Sequence, residues 1–127
     1  MGMVTLLLVE DEKALADVLK TKLQREGFTV SVANDGAEGL AKLKSERPDL
    51  VLLDIILPKM SGFDILEEMR KDPELPHPPV IIISNSGQPV EIERAKALGA
   101  VDYLVKADFD PEEVVTKVRA NLSRLGM

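Results

Sequence analysis

Acidic, hydroxyl and amino side chains directly follow four of the apolar runs in this sequence. Glu10 and Asp11 follow the first run, Asp54 the third, Ser84 the fourth and Lys106 the fifth. Carboxylates are hard oxygen ligands for a divalent cation, and a hydroxyl and an ammonium can bind phosphoryl oxygens. A carboxylate can also act as a nucleophile toward phosphorus. If these five side chains meet in the fold, they predict a phosphoryl-transfer site.

The three carboxylates would repel one another at such a site. Two unit charges about 5 Å apart repel by about 3 kcal/mol at an effective dielectric constant near 20. A cluster of Glu10, Asp11 and Asp54 therefore predicts a bound cation, or a raised pKa for one of its members. Oxygen ligands with open coordination positions favour Mg²⁺. Lys106 could balance part of the negative charge.

The elements that must position these residues follow from the hydrophobic pattern. Apolar runs alternate with amphipathic stretches, and the runs cover residues 4–9, 28–32, 50–53, 80–83 and 101–105. Four runs show no regular alternation, as expected for strands covered on both faces, whereas residues 28–32 alternate and are expected at a sheet edge. Five strands, each followed by a helix, predict an open, doubly wound parallel α/β sheet. In such a sheet the candidate residues would share the edge where ligands bind.

Turn residues and helical spacing mark the predicted helices. Gly27 is expected to end the first helix in a left-handed conformation, and Asp110 with Pro111 is expected to begin the last. The same spacing places Val18 and Leu125 on the buried faces of these two helices.

Composition bounds the class of protein. The chain has 127 residues, 45% hydrophobic and 30% charged, which suits one folded domain over residues 1–127 with its core in residues 4–125. The absence of cysteine excludes disulfides and thiolate zinc sites. A net charge of −6 and an aromatic content of 3% argue against direct nucleic-acid binding. The short apolar runs predict no membrane helix and no secretory signal, so a cytoplasmic location is expected.

The sequence resembles the receiver domain of two-component response regulators from residue 6 to about residue 125. The matching segments are 8–11 (LVED), 50–54 (LVLLD), 57–62 (LPKMSG), 82–84 (IIS) and 99–106 (GAVDYLVK). Each segment alone is weak evidence, but their order, with a helix predicted in every gap, is highly specific. The resemblance implies a flavodoxin-like sheet with strand order 2-1-3-4-5 and five helices.

The resemblance also implies roles for the site residues. Asp54 is expected to accept a phosphoryl group from the phosphohistidine of a histidine kinase or histidine phosphotransfer protein. Asp11, Asp54 and the backbone carbonyl of Ile56 would bind Mg²⁺, with Glu10 acting mainly through a bound water. Ser84 and Lys106 would bind the phosphoryl group.

A switch is implied by the same family. Tyr103 matches an aromatic residue whose rotamer changes when Ser84 moves toward the phosphoryl group. The surface of the fourth helix, fifth strand and fifth helix would then bind an unknown protein target, with the chain monomeric or dimerising on phosphorylation.

Three positions differ from the usual family pattern. Ala107 replaces a proline that follows a cis peptide, and a cis bond before alanine would cost about 2.5–4 kcal/mol. Either that strain is retained or the loop after Lys106 differs. Asn85 stands where a small residue is common, and Ile56 where a polar residue is common.

Other interpretations of the same residues stay open or are disfavoured. Acidic residues 10–12 could simply mark a helix N-terminus, Ser84 could cap a turn, and Lys106 could be an ordinary strand-end lysine. A dehalogenase-like phosphatase would need a second acid where Ile56 stands. No P-loop or G-x-G-x-x-G motif is present.

Two alternatives concern the whole molecule. The chain could be a pseudo-receiver that docks to a partner without phosphorylation. The resemblance is to a receiver domain of the stand-alone type, and the second alternative is that the chain is part of a longer regulator.

Overall fold

The structure is a computed structural model that describes residues 3–108 and 110–127. Residues 1, 2 and 109 of the predicted domain lie outside the described residues. The elements alternate along the chain as β1 (Thr5–Val9), α1 (Lys13–Arg25), β2 (Thr29–Ala33), α2 (Gly36–Glu46), β3 (Leu50–Asp54), α3 (Gly62–Lys71), β4 (Val80–Ser84), α4 (Pro89–Ala97), β5 (Asp102–Val105) and α5 (Pro111–Ser123).

The strands form one parallel sheet in the order β2-β1-β3-β4-β5. This confirms the predicted doubly wound α/β fold, its strand order and its five helices. The alternating run 28–32 corresponds to β2, which lies at an edge of the sheet, as predicted.

Helices cover both faces of the sheet, which explains the uninterrupted apolar runs. Leu6 and Leu8 of β1 pack in a core with α1 and α5, which we call the α1/α5 face. Leu7 and Val9 pack in a second core with residues of α2, α3 and α4, which we call the α2/α4 face. Successive strand residues point to opposite faces, so a strand covered on both sides needs an apolar residue at every position.

The turn and cap residues have the backbone conformations and hydrogen bonds that their residue types favour. Gly27 has a φ of +98° after α1, a conformation that glycine adopts without a Cβ penalty. The Asp110 side chain accepts a hydrogen bond from the Glu113 N–H at the start of α5. Ser61 and Asp64 form a reciprocal capping box at the start of α3, directly after the loop that follows Asp54.

Two residues predicted on buried helix faces are exposed instead. Val18 is 51% exposed, because α1 is covered along the stripe of Ala16, Leu19 and Leu23, and Val18 lies about 100° around the helix from Leu19. Leu125 is 56% exposed, because α5 ends at Ser123 and its helical spacing does not continue.

Among residues 3–108 and 110–127, the helices are all too short or too polar to cross a lipid bilayer.

Candidate functional site

Polar residues from four strands lie at the carboxyl edge of the sheet. Asp54 and Ser84 are the last residues of β3 and β4, while Glu10 and Lys106 directly follow β1 and β5. The strand register places Asp54 beside Ile83, the residue before Ser84. Parallel strands end at the same edge, and this brings together side chains that are far apart in sequence.

The Lys106 ammonium is the centre of the cluster. Its Nζ lies 2.8 Å from Asp54 Oδ2, 2.9 Å from Glu10 Oε1 and 3.2 Å from Glu12 Oε1. The Lys106 side chain is only 7% exposed. Burial alone would lower the pKa of this lysine, but its hydrogen bonds with Asp54 and Glu10 raise that pKa above the usual value. Lys106 is therefore charged and balances the buried carboxylates.

Glu10 is the most strongly perturbed acid of the cluster. It is 1% exposed, and burial raises the pKa of its carboxyl to about 7 despite the neighbouring Lys106. Its Oε2 accepts a hydrogen bond from the Glu12 N–H at 3.0 Å. The clustered carboxylates were expected to require a bound cation or a raised pKa. The pKa of Glu10 is raised and the Lys106 ammonium balances part of the negative charge, while a bound cation stays a prediction.

The carboxylates have a geometry that suits a divalent cation. Oxygen atoms of Glu10, Asp11 and Asp54 all lie within 4.8 Å of one another, with Asp11 exposed and the other two buried. Glu10 Oε1 is buried, and its partner within the described part of the chain is the Lys106 ammonium, 2.9 Å away. Hard oxygen donors, one with an unused acceptor position and one open to solvent, fit Mg²⁺ with retained waters.

The backbone after Asp54 is held by close packing. The Gly62 N–H donates to the Ile55 carbonyl at 2.8 Å, and a Cβ on Gly62 would lie 2.3 Å from the Asp54 carbonyl oxygen. On the other side of the loop, a Cβ on Gly36 would lie 1.7 Å from the Met60 carbonyl oxygen. Both positions therefore need glycine. The motif at residues 57–62 (LPKMSG) indicated that Gly62 belongs to the site, whereas nothing in the sequence linked Gly36 of α2 to this loop.

Ile56 lies two residues after Asp54 and at the mouth of the site. Its N–H donates to Asp54 Oδ1 at 3.3 Å, and the residue is 71% exposed. Because Asp54 Oδ2 accepts from Lys106 instead, the two oxygens of the Asp54 carboxylate have different partners.

Ser84 and Tyr103 meet the same loop, which follows β4. Ser84 is buried, and its Oγ accepts a hydrogen bond from the Ser86 N–H at 3.1 Å. The Tyr103 hydroxyl donates to the Ser86 carbonyl at 2.6 Å. Burial raises the pKa of this hydroxyl above its usual value. The two residues predicted to act as a switch thus contact the backbone of one residue.

The loop after β5 resolves the alternatives that Ala107 left open. The described peptide bonds are trans, including the one between Lys106 and Ala107. The Lys106 N–H donates to the Ser84 carbonyl at 2.7 Å, and the Asp108 N–H donates to the Val105 carbonyl at 3.0 Å. Lys106 therefore reaches Asp54 from a trans peptide.

Glu12 is a site residue that sequence reasoning assigned only to a possible acidic helix start. It is the N-cap residue of α1, but its side chain makes no capping hydrogen bond and contacts Lys106 instead. The first turn of α1 contains no acidic residue. The only hint in the sequence was a third consecutive acid after Glu10 and Asp11.

Comparisons with known proteins identify the family of this chain. A model of the response regulator receiver domain matches residues 6–119. A probable transcriptional regulator, ycf27 of Guillardia theta, is 38% identical over 118 residues, which cover 93% of this chain and 45% of the relative. The DNA-binding response regulator MtrA of Mycobacterium tuberculosis is 38% identical over 119 residues, which cover 94% of this chain and 50% of the relative. The chain spans about half the length of the curated relatives it matches.

Solved structures show the same fold. A CheY-like receiver domain protein of Methanospirillum hungatei has a TM-score of 0.86 and 29% identity, with 97% of this chain and 96% of that chain covered. The signal receiver domain of a putative Luxo repressor protein from Vibrio parahaemolyticus has a TM-score of 0.89 and 28% identity, with 97% and 92% covered.

Proposed function

Since this chain belongs to the response regulator receiver domain family, we propose that it is a phosphoacceptor module of a two-component system that is phosphorylated on Asp54. The observation that carries the proposal is the contact of 2.8 Å between Asp54 and the buried ammonium of Lys106, beside the carboxylates of Glu10 and Asp11. These side chains together would supply a nucleophilic carboxylate, a cation site and an ammonium that binds the phosphoryl group.

The transfer is a displacement at phosphorus. A carboxylate oxygen of Asp54 attacks the phosphorus atom, and a new O–P bond forms. The N–P bond of a phosphohistidine breaks, and its electron pair leaves with the imidazole. Glu10, Asp11, Asp54 and the carbonyl of Ile56 would hold Mg²⁺, which supplies charge neutralisation at the transferring oxygens. The chain thereby catalyses only its own phosphorylation and the slow hydrolysis that reverses it.

Lys106 and Ser84 would stabilise the phosphorylated form. The ammonium of Lys106 already lies at Asp54, so it can pair with a phosphoryl oxygen after a small movement. Ser84 Oγ accepts a hydrogen bond from Ser86, which leaves its hydroxyl proton available to a phosphoryl oxygen. These contacts exist only after phosphorylation, and such differential contacts can shift a two-state equilibrium.

The proposed output surface comprises α4, β5 and α5. Ala95 is the buried residue of α4, so this helix is attached to the rest of the fold by little apolar packing. Tyr103 connects β5 to the loop that precedes α4 through its bond to Ser86. A movement of Ser84 toward a phosphoryl group would pull on the same loop and shift α4.

The partners of this module are proposed from its family and its charge. Phosphoryl donors would be a histidine kinase or a histidine phosphotransfer protein in the cytoplasm. The net charge of −6 disfavours direct contact with nucleic acid, so the target of the output surface would be a protein. The chain would be monomeric or would dimerise on phosphorylation.

Phosphorylation by a small donor tests the proposal. Incubation with Mg²⁺ and labelled acetyl phosphate should give a base-labile acyl phosphate in the wild type and none in Asp54→Asn. Asp72→Asn is a matched control, because Asp72 ends α3 at the opposite edge of the sheet. Full labelling of Asp54→Asn would refute the assignment. A wild type that neither labels nor binds Mg²⁺ in calorimetry would favour the pseudo-receiver alternative.

A further inference from the structure

Glu12 contacts the proposed phosphorylation site without belonging to its carboxylate cluster. Its Oε1 lies 3.2 Å from Lys106 Nζ, although the Glu12 side chain is 54% exposed and free to extend into solvent. The three close carboxylates are those of Glu10, Asp11 and Asp54, and Glu12 is not among them. Lys106 therefore has one acidic partner outside the group that suits a cation.

Helix capping does not account for the position of the Glu12 side chain. Glu12 is the N-cap residue of α1, where a side chain usually accepts a hydrogen bond from the first turn, and it makes no such bond. Its backbone N–H instead donates to Glu10 Oε2 at 3.0 Å. This bond fixes the Glu12 backbone beside the site, and the side chain turns toward Lys106.

We propose that Glu12 is a positioning residue, which holds the Lys106 ammonium at the site when the carboxylates of Glu10 and Asp54 turn to a bound Mg²⁺. The inference rests on the proposed function. Without the metal, three carboxylates share the three N–H groups of Lys106. With the metal, two of these carboxylates are shared with a stronger cation, and Glu12 becomes the principal partner of Lys106.

The expected consequence is that the protein binds Mg²⁺ more tightly with Glu12 than without it. A ligand is favoured by contacts that are stronger in the bound state than in the free state. Because the pair of Lys106 and Glu12 strengthens when Mg²⁺ binds, Glu12 lowers the cost of moving the ammonium away from Glu10 and Asp54. Exposed ion pairs contribute about 0.2–1 kcal/mol, which corresponds to a change of up to about fivefold in Kd.

A double-mutant cycle measured by Mg²⁺ calorimetry at 0.15 M KCl tests the inference. Glu12→Gln should raise the Kd for Mg²⁺ about two- to fivefold. The same substitution should leave the Kd unchanged in a Lys106→Met background, because the residue through which Glu12 acts is missing. Glu74→Gln removes the same charge in the loop before β4, at the opposite edge of the sheet, and should leave the Kd at the wild-type value.

A second measurement needs no substitution of Lys106. In proton–nitrogen spectra of the lysine ammonium groups, the Lys106 signal should survive the addition of Mg²⁺ in the wild type. In Glu12→Gln it should disappear on Mg²⁺ addition, because the ammonium then exchanges its protons with water.

The outcomes separate this inference from the proposed function. An equal effect of Glu12→Gln with and without Lys106, or no effect in either background, would overturn the role of Glu12 and leave phosphorylation of Asp54 intact. Survival of the Lys106 signal in Glu12→Gln would do the same. A wild type that does not bind Mg²⁺ would overturn both.

Discussion

The hydroxyl oxygen of Tyr103 lies 2.6 Å from the backbone carbonyl oxygen of Ser86, to which it donates a hydrogen bond. This bond joins β5 to the loop between β4 and α4. Tyr103→Phe removes the donor and leaves the ring, so we expect a loss of about 1 kcal/mol in the free energy of unfolding. Urea denaturation measures this loss, and amide exchange in residues 85–88 should become faster. Ser86→Ala keeps the carbonyl and is the control. Because it removes the Ser86 Oγ that accepts from the Gln88 N–H at 3.3 Å, the comparison uses residues 85–87, whose exchange should stay at the wild-type rate.

The titration of Tyr103 gives a pH-dependent prediction. Burial raises the pKa of its hydroxyl above the usual value near 10, so the folded state favours the protonated form. The corresponding stability is complete below pH about 10 and is lost as the pH rises through the pKa of the folded protein. Tyr103 is the single tyrosine and the chain has no tryptophan, so absorbance at 295 nm reports this group alone. The titration midpoint should be higher in the native protein than in urea; equal midpoints would contradict the prediction.

Gly62→Ala should damage both stability and the site. The added Cβ would lie 2.3 Å from the Asp54 carbonyl oxygen and 2.8 Å from the Ile55 Cα, so the backbone that carries Asp54 must shift. Overpacking of this kind costs about 1–3 kcal/mol in the free energy of unfolding. We also expect slower labelling by acetyl phosphate, measured at a temperature at which the variant is folded.

Gly27→Ala is the control for Gly62→Ala. Among the described residues, no heavy atom other than those of its chain neighbours lies within 4 Å of the added Cβ, but the φ of +98° is unfavourable for alanine and costs about 1–2 kcal/mol. This variant should lose stability and label at the wild-type rate. Slower labelling in Gly27→Ala would mean that general destabilisation, rather than the position of Asp54, explains the effect of Gly62→Ala.

Lys106→Met should destabilise the metal-free protein. The substitution leaves the buried carboxylates of Asp54 and Glu10 without their ammonium, and breaking a buried pair from one side costs about 3–5 kcal/mol. Mg²⁺ can replace the missing positive charge, so it should raise the Tm of the variant more than that of the wild type. Lys59→Met removes an exposed lysine that pairs with Asp35 and should have a much smaller effect. An equal Mg²⁺-induced rise in Tm for Lys106→Met and the wild type would refute this prediction.

The meeting of Asp54 and Lys106 could be predicted because strand ends are encoded by long apolar runs, and parallel strands end at one edge of a sheet. The side-chain direction of Glu12 could not be predicted, since an N-cap acid has several staggered rotamers and the choice depends on a lysine 94 residues away in sequence. The exposure of Val18 was missed for a related reason. Spacing identifies the residues of one helical stripe, but the width of the stripe that neighbours cover is set by tertiary packing.

Asp54 and Ser84 meet at one edge of the sheet, but strand alternation assigns their side chains to different faces of it. Asp54 continues the series of Leu50 and Leu52 on the α1/α5 face, whereas Ser84 continues that of Val80 and Ile82 on the α2/α4 face. Hydrogen-bonded backbone separates these layers within the sheet, but Asp54 and Ser84 end their strands, so a phosphoryl group on Asp54 would meet Ser84 beyond the edge of the sheet. From Ser84 the change would continue along the loop backbone toward α4. Both cores can then keep their packing while α4 changes position. A substitution in either core can therefore change stability without changing the response to phosphorylation.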